Sequence, residues 1–185
     1  MGNIGGAEVM ENYVDKIEMA TRMFLRNFKL EGEDFDGTPE RVSRMWDTFF
    51  NEDTSCNMVS FPTSKDAGII CIRDYHFWSF CPHHLLPVKY VAKIGYIPSN
   101  RAFGLSKLGR AAMCVAKRLP LQEDIARLIA EQLISVKPKG VAVLVTGEHL
   151  CMQMRGIKDP CVNAVSDYYS GVFKKSEYQQ RFLAL

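Results

Sequence analysis

Two stretches rich in Ile, Val, Tyr and Phe, residues 68–80 and 87–97, are interrupted by Cys81-Pro82-His83-His84. Runs of this composition, bounded by such a break, predict two strands joined at a corner. A second β-branched run, Val141–Met154, is followed by a polar loop and a further predicted strand at about 162–173. Helices fill the space between and around these pairs. Ser106 is placed to cap a helix reaching about Arg118, Pro120 breaks it, and a second helix covers about 121–136 before Pro138 and Gly140 end it. Upstream, Val9, Tyr13, Ile17, Ala20, Met23 and Phe24 recur at helical spacing over residues 7–29. Thr38-Pro39-Glu40 reads as the start of another helix, with Thr38 as cap and proline at the first helical position, running to about Asn51. Residues 52–66, punctuated by Pro62, read as a loop, and Ser176 opens a closing helix. The expected class is α+β: an antiparallel sheet of two hairpins with a helix pair between them, helices on one face, and N-terminal helices in front. Residues 1–52 are expected to form a helical segment and 53–185 one structural unit.

Composition narrows what such a fold can serve. The chain has 185 residues, with Lys+Arg 23 against Asp+Glu 21 and a formal net charge of +2. That near-neutrality argues against a long polyanion as partner, so no nucleic acid is expected, but it leaves room for a local basic pocket. The N-terminus lacks the apolar core of a secretory signal and gains acidic residues early, and the apolar runs are far shorter than the roughly 20 residues of a membrane span. No membrane partner is expected, and the expected compartment is cytoplasmic. There the six cysteines read as free thiols or metal ligands rather than as disulfides.

Of the four histidines, three fall in two short segments, Cys81-Pro82-His83-His84 and His149-Leu150-Cys151. Cys81 and His84 have C-x-x-H spacing, which lets a tight turn aim both at one metal. His149 and Cys151 are two apart on a predicted strand and would share a face. Thiolate plus imidazole ligands suit zinc, and three protein ligands with an open position mark a catalytic site. Taken singly, each segment is also explained by a polar turn or a core strand; their joint occurrence favours a metal centre. Cys56, Cys71, Cys114 and Cys161 read as small buried hydrophobes. Ser106-Lys107-x-x-Arg110 opens a helix, where free N–H groups and the dipole favour an anion. Lys107 and Arg110 share a face, Arg41 and Arg44 repeat that spacing, and Arg155 follows the second β-branched run. A solvated helix face is the plainer explanation of these pairs. Gln122-Glu123 begins the helix after Pro120, where an acid suits the dipole; a carboxylate there also suits a donor-rich edge such as that of guanine.

Thr38-Pro39-Glu40-Arg41-Val42, Cys81-Pro82-His83-His84-Leu85-Leu86-Pro87, Gly104-Leu105-Ser106-Lys107-Leu108-Gly109-Arg110, Gln122-Glu123, His149-Leu150-Cys151 and Met154-Arg155-Gly156 together resemble the GTP cyclohydrolase I family, in its order and at nearly its spacing, over about residues 36–185. The resemblance implies a tunnelling fold whose subunits form rings, two pentamers stacking into a homodecamer with active sites at subunit interfaces. It implies conversion of GTP and water to 7,8-dihydroneopterin triphosphate and formate, with zinc activating the water that attacks C8 of the purine. By this match Cys81, His84 and Cys151 bind zinc. His83 and His149 move protons, and Ser106 is counted with them among the catalytic residues. Ser106, Lys107, Arg110 and Arg155, with Arg41 and Arg44, hold the triphosphate and ribose, while Glu123, supported by Gln122, anchors guanine. The chain departs from the family pattern at Pro82, where a glutamate is usual, at Val88, where an aromatic is common, and in the Ile157–Ser170 segment, which lacks a Thr/Ser-rich run. The alternatives are another tunnelling-fold enzyme acting on a pterin or deazapurine, and a catalytically weakened nucleotide-binding homologue.

Overall fold

A computed structural model describes residues 6–51, 57–64 and 66–185. The chain divides into two compact units, Met1–Asp53 and Thr54–Leu185. In the first, α1 (Gly6–Asn27) and α2 (Thr38–Asn51) are linked through a 3-10 turn at Glu33–Phe35. The Ser43 hydroxyl, fully buried, donates to the Val14 carbonyl at 3.1 Å, and the Tyr13 hydroxyl meets Asp47 and Asn51. Thr38 is already helical and does not cap α2: the Arg41 N–H donates to the Gly37 carbonyl at 3.1 Å, and the Thr38 hydroxyl instead accepts from the Arg41 guanidinium at 2.8 Å.

The second unit contains β1 (Ser60–Pro62), β2 (Ile70–Phe80), β3 (Pro87–Ile97), β4 (Arg101–Phe103), α3 (Ser106–Ala116), α4 (Gln122–Gln132), β5 (Gly140–His149), α5 (Leu150–Gln153), β6 (Ala164–Tyr169) and α6 (Ser176–Ala184). Four strands form one antiparallel sheet in the order β2-β3-β5-β6, so the two predicted hairpins lie side by side. The central pairing runs from Val88 opposite His149 to Ile97 opposite Gly140. β1 and β4 make a separate two-stranded pair. Sequence pattern alone missed it, because three residues ending in proline carry no period.

The helix pair covers one face. Val88, Tyr90, Ala92, Ile94 and Tyr96 alternate along β3 toward it and are nearly inaccessible, packing with Leu108 and Val115 of α3 and Ile125 and Ile129 of α4. Toward its C-terminal end β3 becomes buried on both sides, since α6 and a 3-10 turn at Gly171–Lys174 cover the opposite face there with Phe182 and Phe173. Helices on a single face were expected, and α6 corrects that. Gly95 permits the approach, for a Cβ there would lie 2.9 Å from the Cys71 side chain and 3.0 Å from the Phe182 ring. The predicted strand over 162–173 ends early at Tyr169, where Gly171 (φ 56) turns the chain beside the Lys139 carbonyl. Cys114, on α3, is disulfide-bonded, which corrects the expectation of a free thiol; Cys71, Cys81, Cys151 and Cys161 are free. Among the described residues no helix is long and apolar enough to cross a membrane.

Candidate metal centre and its cavity

Cys81 follows the last residue of β2 and opens the turn into β3. Its N–H donates to the Leu86 carbonyl at 2.9 Å, and its carbonyl accepts from the N–H groups of Leu85 at 2.8 Å and His84 at 3.3 Å. Pro82 suits the second position of this turn, where a fixed φ helps and no N–H is called for. Leu85 takes a left-handed φ of 52°, the strained step that returns the chain to β3. The turn brings His84 Nδ1 to 3.6 Å and His83 Nδ1 to 3.8 Å from the Cys81 sulfur.

The third ligand arrives by a route the spacing did not predict. β5 ends at His149, opposite Val88 at the start of β3, and the chain then turns into the four-residue helix α5. His149 and Cys151 therefore do not share a strand face. The helical turn carries Cys151 to the corner, where the ligand atoms of Cys81, His84 and Cys151 all lie within 4.8 Å of one another. Tetrahedral zinc with its usual bond lengths to sulfur and nitrogen holds a Cys/His pair of ligand atoms about 3.5 Å apart, and the Cys81–His84 separation matches. Burial pushes the Cys151 thiol up, and the adjacent Cys81 thiol adds to this. A bound dication reverses that balance and favours the thiolates. The donor set thus fits zinc.

Beside the centre lies a cavity of about 380 Å³, lined among others by Cys81, His83, Gln122, Glu123, His149 and Met152. His149 is 8% exposed. Burial lowers its pKa against the opposing pull of Glu123, which favours the neutral imidazole. Its Nε2 lies 2.9 Å from Gln122 Oε1, so Nε2–H donates and the amide oxygen accepts. The other end of the amide, Gln122 Nε2, donates to Ser166 Oγ at 3.0 Å. The Tyr90 ring stands edge-on to the imidazole, centroids 6.0 Å apart. Gly147 leaves the space for this arrangement: a Cβ there would sit 2.4 Å from Gln122 Oε1, 2.8 Å from Tyr90 and 3.1 Å from His149 Nε2. Gln122, grouped by sequence with Glu123, thus has partners of its own, while Glu123 is exposed in the cavity wall.

The basic residues are distributed differently. Ser106, Lys107 and Arg110 lie in the first turns of α3, whose other end is tied to β2 by the Ser79 hydroxyl donating to the Ala116 carbonyl at 2.7 Å. Ser79 lies two residues before Cys81; along the helix axis Ser106 is about 15 Å, and Arg110 about 9 Å, from the end of α3 that adjoins the metal corner. Ser106 is the first helical residue rather than a cap. Arg155 follows α5, and its charge favours the Cys151 thiolate. Arg41 and Arg44 belong to the Met1–Asp53 unit, where Arg44 donates to the Glu40 carbonyl at 3.4 Å. Among the described residues, the ligand group and the cavity beside it bring together Cys81, His83, His84, Gln122, Glu123, His149 and Cys151, and the cavity lining does not include Lys107 or Arg110. Sequence reasoning missed Tyr90, Gly147, Met152 and Ser166. Only Gly147 carried a signal, as a lone glycine inside a β-branched run, where it marks a close approach.

Two thiols and an imidazole that could hold a metal ion, converging at the end of an antiparallel sheet beside a cavity lined by a buried histidine, mark the candidate site of an α+β enzyme. The family model for GTP cyclohydrolase I matches residues 17–185, reaching into α1 beyond the span of the sequence motifs. Proteins named GTP cyclohydrolase 1 are similar throughout: that of Thermoanaerobacter pseudethanolicus is 39% identical over 88% of this chain and 90% of its own. That of Aquifex aeolicus is 38% identical over 92% and 95%, and that of Bacillus subtilis 38% over 86% and 88%. The chain belongs to the GTP cyclohydrolase I family. Among solved structures, an apo archaeosine synthase of the QueF-like type aligns with a TM-score of 0.44 and 17% identity over 58% of this chain and 97% of that one.

Proposed function

We propose that the chain is a zinc-dependent GTP cyclohydrolase I of the cytoplasm, converting GTP and water to 7,8-dihydroneopterin triphosphate and formate. The observation that carries this reading is the convergence of Cys81, His84 and Cys151 beside the cavity that His149 and Glu123 line. Cys81, His84 and Cys151 would hold zinc, which when bound would supply Lewis acidity. Guanine occupies the cavity, where the Glu123 carboxylate accepts from its N1–H and 2-amino group. His149, held at Nε2 by Gln122, exchanges a proton with the imidazole ring of the purine through Nδ1. His83, two residues from Cys81 and exposed, serves the second proton transfer as the ring opens.

Triphosphate binding falls to Ser106, Lys107, Arg110 and Arg155, with Arg41 and Arg44. The distance of the α3 basic end from the metal corner favours its being lent by a second copy of the chain, in keeping with a homodecamer of two stacked pentamers. Incubation of the zinc-loaded protein with GTP, following pterin absorbance and formate release, tests the reaction. Absence of product from GTP and dGTP at full zinc occupancy overturns it.

A further inference from the structure

Ser166 has no part in the chemistry above, yet it completes a chain of side chains that crosses three elements. Its hydroxyl on β6 accepts from the Gln122 amide at the start of α4, and that amide accepts from His149 at the end of β5. We propose that Ser166 is a positioning residue, which holds the Gln122 amide so that His149 keeps its proton on Nε2 and presents Nδ1 to the ligand.

A carboxamide has two unlike ends, one accepting and one donating. Rotated by half a turn, it would offer an N–H to His149 Nε2 and favour the opposite tautomer, with Nδ1 blocked by its own hydrogen. The Ser166 hydroxyl, which can accept or donate, anchors the amide at its far end; in the observed arrangement it accepts from the NH2 group and leaves the oxygen over the bare Gly147, toward the imidazole. The geometry is built rather than incidental. Gln122 has its backbone fixed as the first residue of α4, β6 pairs with β5 through Ser166 opposite Val145, and the bare Gly147 leaves the amide oxygen its place. The catalytic consequence rests on the cyclohydrolase reading; the hydrogen-bonded chain does not.

Two measurements on the zinc-loaded protein separate these levels. First, 15N spectra of histidine-labelled protein, simplified by a chain with four histidines, report the His149 tautomer without any turnover. The Nε2–H form is expected in the wild type and in Ser166→Thr, and a mixture of tautomers in Ser166→Ala. A single unchanged tautomer in Ser166→Ala overturns the proposal. Second, kcat with GTP is expected to fall about tenfold in Ser166→Ala, with KM, zinc content and thermal midpoint kept, and to return in Ser166→Thr. In a Gln122→Glu background, where either carboxylate oxygen accepts from His149, Ser166→Ala is expected to have little further effect. An undiminished effect there, or equal losses in the Ala and Thr variants, refutes the positioning role. A wild type without turnover fails the cyclohydrolase reading alone, and the spectra still decide the role of Ser166.

Discussion

Replacing Gly147 by alanine tests the geometry of the site with a single carbon. The added Cβ would stand 2.4 Å from Gln122 Oε1 and 2.8 Å from the Tyr90 ring, separations that no side chain tolerates, so the amide must leave. The loss of one hydrogen bond at a buried imidazole costs about 1–1.5 kcal/mol, and forcing a methyl into a packed core costs about 1–3 kcal/mol more. Alanine in a strand recovers about 0.5–1 kcal/mol of backbone entropy. The net expectation is a destabilisation of about 1–4 kcal/mol, which for a chain of this size lowers the thermal midpoint by at least about 2–4 °C. The matched control is Gly68→Ala, where the added carbon meets nothing within 4 Å. Thermal midpoints at one protein concentration and one zinc content, with kcat measured in parallel, decide the matter. A Gly147→Ala protein as stable and as active as Gly68→Ala would refute the claim that this glycine makes room for the Gln122–His149 contact.

Cys151→Ser is expected to lower the zinc bound per chain, whereas His149→Ala spares the metal and loses turnover; equal metal loss in both, by atomic absorption, would overturn the division between ligand and proton carrier. Burial raises the Tyr90 pKa, with the Cys81 and Glu123 charges adding to it. The neutral phenol is therefore favoured in the folded state, and its stabilising contribution is present below the unfolded pKa of about 10 and lost as pH rises beyond it. Tyr90→Phe should make alkaline unfolding above pH 10 less steep, as followed by circular dichroism. Mixing Arg110→Ala with Cys151→Ser subunits after dissociation should restore about a quarter of wild-type activity if each site draws on two chains at random; no recovery would confine the site to one chain.

Much of this was legible because the informative residues are local. Cys81 and His84 belong to one turn, so their spacing foretold their meeting, and the β-branched runs marked the four long strands to within a few residues. The approach of Cys151 was foreseen for a mistaken reason. Strand periodicity reads on through Leu150, but among the described residues the pairing of β5 ends with His149 opposite Val88, and the chain turns helical at Leu150. The Gln122–His149–Ser166 chain was invisible, since its members lie far apart in sequence and none is unusual for its local element. Lys107 and Arg110 read correctly as a pair on one helix face, but their distance from the metal corner depends on which end of α3 the Ser79 hydroxyl holds, and no local pattern encodes that.

The placement of the three candidate ligands also bears on how the sheet comes together. Cys81 and His84 meet as soon as the β2–β3 hairpin closes, an event between sequence neighbours. Cys151 reaches them only once β5 has docked along β3, a pairing of strands separated in sequence by the helix pair. A metal held by all three is therefore a clasp across the late, long-range seam of the sheet, fastened at the end where Val88 faces His149. Its removal should leave the hairpin's amides protected from hydrogen exchange while those at the seam's open end, near His149, begin to fray. Metal loading in such a chain doubles as a mark that the central strands have found their register.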